Sequence, residues 1–122
     1  MKNRILIVDD AMLMRMMLKD IFQGNGFDVV GEADDADIDL DIYKKTHPDL
    51  VTMDITLTES SGIDAIRLIL DYDQDAKIIV ISALDQRKVV MEALRLGAKD
   101  FIIKPFEEGH VVTSVRNLLS YQ

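Results

Sequence analysis

Arg4-Ile5-Leu6-Ile7-Val8-Asp9-Asp10 is the stretch of sequence that decides the fold. Its apolar part, residues 5–8, shows no polar alternation, which is typical of a strand buried on both faces of a parallel sheet. The run ends in two carboxylates, and open parallel sheets bind ligands beyond the carboxyl ends of their strands. The stretch therefore predicts a strand over residues 4–8 and a polar site directly after it.

Short apolar runs and amphipathic stretches alternate along the rest of the chain. Four more runs predict strands, at residues 28–31, 50–53, 77–81 and 101–103. Stretches with a helical spacing of apolar side chains predict helices, at residues 12–23, 35–46, 62–72, 85–96 and 107–119. This alternation predicts an α/β domain, with a doubly wound, five-stranded parallel sheet and helices on both faces.

The stretch 35–46 carries a conflicting pattern. Asp37-Ile38-Asp39-Leu40-Asp41-Ile42 alternates with period two, which is typical of a strand. A crossover is nevertheless required between the second and third parallel strands, and such a crossover is usually a helix. We therefore predict a helix here, and the pattern leaves open whether it is regular.

Composition narrows the class of function. The chain of 122 residues fits one domain, residues 1–122, with no output domain. Its 22 acidic and 14 basic residues give a formal charge of −8, which argues against a nucleic-acid partner. It has no cysteine, so thiolate metal sites and cysteine nucleophiles are excluded. No apolar run reaches the length of a membrane span, and we expect a cytoplasmic protein with no membrane partner.

Polar residues follow four of the predicted strands, at the edge where parallel sheets bind ligands. They are Asp9, Asp10, Asp54, Ser82 and Lys104. Carboxylates gathered in one crevice repel one another, and Mg²⁺ relieves the repulsion because it takes oxygen ligands. A carboxylate nucleophile, a divalent cation, a lysine and a hydroxyl together form a phosphoryl-transfer site. The sequence thus predicts that an aspartate accepts a phosphoryl group.

This set of residues resembles the receiver domain of two-component response regulators. The likeness covers nearly the whole chain and includes Ile7-Val8-Asp9-Asp10, Pro48-Asp49-Leu50-Val51, Asp54, Gly62, Ser82, Gly97-Ala98-Lys99-Asp100-Phe101 and Lys104-Pro105. Since no output domain is expected, the chain is most similar to single-domain CheY-like chemotaxis regulators. The resemblance implies the flavodoxin-like (βα)5 fold with strand order 2-1-3-4-5.

The resemblance implies a metal site. Asp10 and Asp54 would bind Mg²⁺ directly, with Mn²⁺ as a substitute. The backbone carbonyl of Thr56 would complete the protein ligands, and Asp9 would act mainly through metal-bound water.

The resemblance also implies the parts of a switch. Asp54 is the phosphoacceptor, and Lys104 pairs with it and later with the phosphoryl group. Ser82 moves to bond a phosphoryl oxygen, and Phe101 is the aromatic residue that turns inward as the hydroxyl moves. The family has a cis peptide at the position of Lys104-Pro105.

The partners implied by the resemblance are proteins. A histidine kinase would serve as the phosphodonor. Magnesium-dependent self-phosphorylation and slow self-dephosphorylation would be the only reactions, so the chain is not expected to be an enzyme. A target would bind the face formed by the fourth helix, fifth strand and fifth helix. A flagellar motor switch component is the expected target, with another cytoplasmic protein or an onward relay as alternatives.

One alternative stays open, a receiver-like module that binds partners without phosphate. The presence of all the site residues argues against it, and the unusual loop after Asp54 favours it. An aspartyl-phosphate hydrolase is disfavoured because no cap domain is present. A flavin-binding protein is disfavoured because Asp9-Asp10 would repel the cofactor phosphate.

Three positions depart from the family pattern. Thr58 stands where proline is usual, and Ser61 stands where Asn or Asp is common. Without proline, the backbone of the loop after Asp54 can adopt more conformations when no ligand is bound. We therefore predict a mobile loop that becomes ordered when metal or phosphate binds. Leu84 is apolar at a position that flanks the acyl phosphate and offers no help in orienting water, which predicts slow self-dephosphorylation.

The first predicted helix is rich in methionine. Met12, Met14, Met16 and Met17 suggest an adaptable contact surface. The preferred interpretation is core packing, with one or two of these side chains exposed.

Overall fold

The computed structural model describes the backbone of residues 2–34, 39–55 and 59–119, and their side chains except those of residues 39 and 59–61. Its strands are β1 (Arg4–Val8), β2 (Asp28–Ala33), β3 (Leu50–Asp54), β4 (Ile78–Ser82) and β5 (Asp100–Ile103). Its helices are α1 (Met12–Gly24), α2 (Asp39–Thr46), α3 (Glu59–Tyr72), α4 (Arg87–Leu96) and α5 (Glu108–Leu119). Every predicted strand and helix is present; half of their ends match the prediction, and nearly all of the others shift by one to three residues.

The strands form one parallel sheet in the order β2-β1-β3-β4-β5, which confirms the expected order. β1 pairs with both β2 and β3, and its residues Ile5, Leu6 and Ile7 are fully buried. β4 is likewise buried along its whole length. Helices on both faces of the sheet explain why these strands appear in the sequence as unbroken apolar runs.

Successive strand residues point to opposite faces, so the sheet supports two hydrophobic clusters. One cluster lies between the sheet and helices α1 and α5 and includes Ile7, Phe22 and Val115. The other lies against α2, α3 and α4 and includes Leu6 and Ile66. Burying each such side chain stabilises the fold by about 1.5–3 kcal/mol, which holds the strand ends in fixed register. No helix among the described residues is long and apolar enough to cross a bilayer.

Helix α2 resolves the conflict between the period-two pattern and the required crossover. It begins at Asp39 and ends at Thr46, and residues 35–38 lie outside the described part of the chain. Leu40 and Ile42 pack against the α2–α3–α4 cluster beside the buried Tyr43. Packing against the sheet outweighs the local alternation, and the prediction of a helix is confirmed for residues 39–46.

Candidate functional site

Three aspartates meet at the carboxyl ends of β1 and β3. The two strands are neighbours, with Val8 opposite Met53. Consequently the residues that follow Val8 lie beside Asp54. One carboxylate oxygen from each of Asp9, Asp10 and Asp54 lies within 4.8 Å of the others. The structure therefore brings together the three carboxylates that follow the predicted strands.

Lys104 adds a positive charge to this cluster from the end of β5. Its Nζ donates a hydrogen bond to Asp54 Oδ2 at 3.2 Å and lies 3.9 Å from Asp9 Oδ2. Its backbone N–H donates to the Ser82 carbonyl at 2.8 Å, which continues the β4–β5 pairing beyond the strands. The Lys104–Pro105 peptide bond is cis, as expected. Lys104 thus contacts two of the three aspartates.

Asp9 is buried although it carries a carboxyl group, with an exposed fraction of 2%. Burial raises the pKa of Asp9 from 3.8 to about 6, and the charge of Asp54 adds to the increase. The hydrogen bond from the Ala11 N–H to Oδ1, at 2.9 Å, lowers this pKa, as does the charge of Lys104. Near neutral pH the cluster therefore holds its negative charge at a cost in folding free energy.

The donor set fits a hard divalent cation such as Mg²⁺. Three carboxylates face one ammonium group, so negative charge is in excess. Within the described residues, no hydrogen-bond donor satisfies Asp9 Oδ2. Proteins bind Mg²⁺ through one or two carboxylates together with waters and phosphate oxygens. Thr56, whose carbonyl the resemblance adds to the ligands, lies outside the described residues.

Ser82 ends β4, and its side chain is fully buried. Asp54 lies opposite Ile81, the residue before Ser82, in the β3–β4 pairing. Among the residues described, none forms a hydrogen bond with Ser82 Oγ. A buried hydroxyl without a partner costs about 1–3 kcal/mol. Its hydrogen-bonding capacity is therefore available to an acceptor that arrives next to Asp54.

Phe101, on β5, is 40% exposed and lines an apolar groove. The groove has a volume of about 520 Å³ and is also lined by Leu84, Arg87, Val90, Met91 and Ile103. Leu84, at 80%, is more exposed than Phe101. The face that the resemblance assigns to target binding thus carries a groove between α4 and β5.

The outer face of α1 differs from the expectation that its methionines mainly pack in the core. Large apolar side chains on it are 44–70% exposed, namely Met12, Leu13, Met16 and Met17. The prediction that the methionines mainly fill the core is therefore wrong, although Met14 packs partly against the α1–α5 cluster. Positions 12, 13, 16 and 17 lie on the side of the helix opposite the buried Leu18 and Phe22, but both sides are apolar, so the spacing alone did not indicate which side is buried.

Two of the positions that depart from the family pattern lie outside the part of the chain that the structure describes. They are Thr58 and the side chain of Ser61. The predicted mobility of the loop after Asp54 stays a prediction, as does the slow self-dephosphorylation expected from Leu84.

The model of one protein family, the response regulator receiver domain, matches residues 5–116. The chain belongs to this receiver family. This receiver domain is 52% identical over 118 residues to the chemotaxis protein CheY of Thermotoga maritima, covering 97% of this chain and 98% of that protein. It is 49% identical over 120 residues to the chemotaxis protein CheY of Bacillus subtilis, covering 98% of this chain and 100% of that protein.

Solved structures share the fold of the receiver domain. The complex of CheX, CheY, BeF3 and Mg from Borrelia burgdorferi contains a chain that is 35% identical, with a TM-score of 0.88 over 95% of this chain and 88% of that chain. The response regulator domain of Thermotoga maritima CheB is 32% identical, with a TM-score of 0.87 over 100% of this chain and 99% of that chain. Receiver domains generally bind Mg²⁺ through an acidic pocket, and three aspartates form such a pocket here.

Proposed function

We propose that this receiver domain is a chemotaxis signalling switch whose Asp54 accepts a phosphoryl group from a histidine kinase. The observation that carries the proposal is the 3.2 Å hydrogen bond from Lys104 Nζ to Asp54 Oδ2 inside a cluster of three carboxylates. An ammonium group and a cation-binding pocket beside one carboxylate offset the negative charge that phosphoryl transfer concentrates there. Two relatives of about half identity, both chemotaxis proteins, support the assignment to chemotaxis.

The proposed reaction moves a phosphoryl group between two side chains. An Asp54 carboxylate oxygen attacks the phosphorus of a phosphohistidine. A P–O bond forms as the P–N bond breaks, and the histidine nitrogen leaves with the electron pair. Lys104 orients Asp54 before transfer and stays beside the phosphoryl oxygens afterwards. Mg²⁺ or Mn²⁺, when bound by Asp10, Asp54, the Thr56 carbonyl and, through water, Asp9, supplies positive charge that offsets the phosphoryl group.

The new charge is proposed to bias two states of the face formed by α4, β5 and α5. An acyl phosphate on Asp54 gives the buried hydroxyl of Ser82 an acceptor, which draws the end of β4 toward β3. Phe101 lies opposite Val80 of β4, so a shift of β4 allows its half-exposed ring to turn inward. The groove that Phe101 lines then changes shape, and a target that prefers one shape responds. The proposed target is a component of the flagellar motor switch.

The outer face of α1 is the proposed contact for the phosphodonor. The helix begins two residues after Asp10, so its first turns lie at the rim of the acidic cluster. A contiguous exposed apolar patch marks an interaction site, and methionine adapts to the shape of a partner. A donor that packs against Leu13 and Met16 therefore brings its phosphohistidine close to Asp54.

Labelling with acetyl phosphate tests the proposal. Incubation with acetyl phosphate and Mg²⁺ should add one phosphoryl group to the intact protein, as measured by mass spectrometry. Asp54→Asn should abolish the gain, and Asp20→Asn, which removes an exposed carboxylate from α1, should retain it. Chelation of the metal should also abolish it. A wild-type protein without any gain would favour the alternative, a module that binds partners without phosphate.

A further inference from the structure

A cleft lies at the end of the sheet opposite the acidic cluster, where α2 and α3 end. It has a volume of about 440 Å³ and is lined by Tyr43, His47, Pro48, Tyr72 and Asp73. The two helices lead into the amino ends of β3 and β4, so the length of β3 separates the cleft from Asp54. We call it the tyrosine cleft, and the proposed switch makes no use of it.

One ring of the tyrosine cleft, that of Tyr72, already contacts a cation. The rings of Tyr43 and Tyr72 meet edge to face, with centroids 6.2 Å apart and planes at 86°. Lys44 Nζ, from the last turn of α2, lies 4.8 Å from the centre of the Tyr72 ring. This distance is within the reach of a cation–π interaction, about 6 Å. Lys44 is exposed, so a cation that contacts the Tyr72 ring more strongly can displace it.

Asp73 adds a fixed carboxylate to the aromatic wall. Its Oδ2 accepts a hydrogen bond from the Tyr43 hydroxyl at 2.7 Å, and its Oδ1 accepts one from the Asp75 N–H at 3.1 Å. Each oxygen keeps a second lone pair for a further donor. Burial and the Asp73 contact raise the pKa of Tyr43 above its ordinary value, so the hydroxyl keeps its proton and donates it.

His47 forms the rim of the cleft in a left-handed backbone conformation, with φ 48°. Residues other than glycine rarely adopt this conformation. The His47 N–H donates to the Tyr43 carbonyl at 3.1 Å, and the His47 carbonyl accepts a hydrogen bond from Arg4 Nε at 3.3 Å. Backbone strain persists only where the surroundings fix it, and it is enriched at ligand-binding sites. These two hydrogen bonds hold the rim in this conformation.

We propose that the tyrosine cleft binds the guanidinium group of an arginine on a basic partner segment, which displaces Lys44 from the Tyr72 ring. A guanidinium is planar, stacks on aromatic rings and forms paired hydrogen bonds with a carboxylate such as Asp73. It is also less strongly hydrated than the ammonium group of Lys44. The formal charge of −8 draws a basic segment toward the domain. This contact surface is independent of Asp54.

Titration with N-acetyl-arginine amide, followed by two-dimensional ¹H–¹⁵N NMR, tests the proposal. Saturable shifts should be confined to amides around the cleft, with a dissociation constant on the order of millimolar. Lys44→Gln should tighten binding about two- to five-fold, because the internal competitor is lost. Tyr72→Phe should preserve binding because the ring remains. N-acetyl-glutamine amide, the uncharged match of the probe, should give no saturable shift.

Further variants separate the cleft from general attraction to an acidic domain. Tyr72→Leu should weaken binding about five-fold. Asp73→Asn should weaken it more than Asp64→Asn, which removes an equal charge from an exposed position on α3. Asp54→Asn should leave binding unchanged, which keeps this test independent of phosphorylation. Equal effects of Asp73→Asn and Asp64→Asn, or shifts unaltered in Tyr72→Leu, would overturn the proposal. If Tyr72→Leu does not fold, the tighter binding expected of Lys44→Gln and the unchanged binding expected of Tyr72→Phe test the proposal instead.

Discussion

The acidic cluster and the outer face of α1 depart from the ordinary distribution of residues in opposite directions. Asp9 is 2% exposed, whereas Leu13, four residues further along the chain, is 70% exposed. Carboxylates normally lie on the surface and large apolar side chains inside, so each region is less stable than an ordinary arrangement. The difference between them indicates two uses. The buried carboxylates of the acidic cluster are suited to a chemical reaction. The exposed apolar surface of α1 is suited to contact with another protein.

The largest expected effect comes from removing a buried charge. Asp9→Asn should stabilise the metal-free domain by about 2–3 kcal/mol near neutral pH, because an ionised carboxylate whose pKa is raised to about 6 opposes folding. Urea unfolding in the presence of a chelator measures the change. Asp20→Asn, at an exposed position of α1, is the matched control and should change stability by less than about 0.5 kcal/mol.

The increase in stability caused by Asp9→Asn should depend on pH, in a direction that follows from the pKa of Asp9. The pKa of Asp9 is about 6 in the folded state and 3.8 in a free side chain, so the folded state binds the proton more tightly. The contribution of Asp9 to stability therefore falls as the pH rises from about 4 to about 6. The gain from Asp9→Asn should be full above this range and absent below it. An equal gain at both ends would mean that charge is not its cause.

A smaller effect is expected on the outer face of α1. Leu13→Ser should slow phosphoryl transfer from the cognate histidine kinase about tenfold, since burying a leucine at an interface contributes about 1.5–3 kcal/mol. Labelling by acetyl phosphate should stay unchanged, because a small donor needs no docking surface. Leu68→Ser, on α3 and 49% exposed, is the matched control. Equal transfer rates for the two variants would remove α1 from the kinase contact.

The smallest expected effect concerns the buried hydroxyl of Ser82. Ser82→Ala should stabilise the unphosphorylated domain by about 1 kcal/mol, because it removes a buried polar group without a described partner. The variant should also lose the phosphorylation-dependent change at the Phe101 ring, measured by NMR. Thr52→Val, at another such hydroxyl, should stabilise the domain similarly and keep the Phe101 response. Loss of that response in both variants would argue against a specific role for Ser82.

The meeting of charged residues was easier to predict than the surface around them. Asp9, Asp54 and Lys104 each lie at or directly after the end of a strand, and the order of elements brings strand ends together whatever the details of packing. The burial of Asp9 and its raised pKa depend on side chains from several elements. No local sequence pattern indicates which side chains surround Asp9. In α1, apolar residues occur on both sides of the helix, so only its position on the sheet decides that Met12 is exposed and Phe22 buried.

The tyrosine cleft could not be predicted from the sequence. Tyr43 and Asp73 are 30 residues apart; Tyr43 lies in α2, and Asp73 directly follows α3. No periodicity or motif links them, because their contact depends on how α2 packs against α3. The strand-end rule that joins Asp54 to Lys104 therefore has no counterpart at this end of the sheet.

Locating the phosphoryl group within the labelled chain tests the central claim most directly. Borohydride reduces an aspartyl phosphate to homoserine, so peptide mass spectrometry after labelling and reduction marks the modified residue. Homoserine at position 54, formed with Mg²⁺ and absent with a chelator, is the expected result. An unmodified Asp54, or label spread over exposed aspartates such as Asp85, would contradict phosphoryl transfer at the cluster beside Lys104.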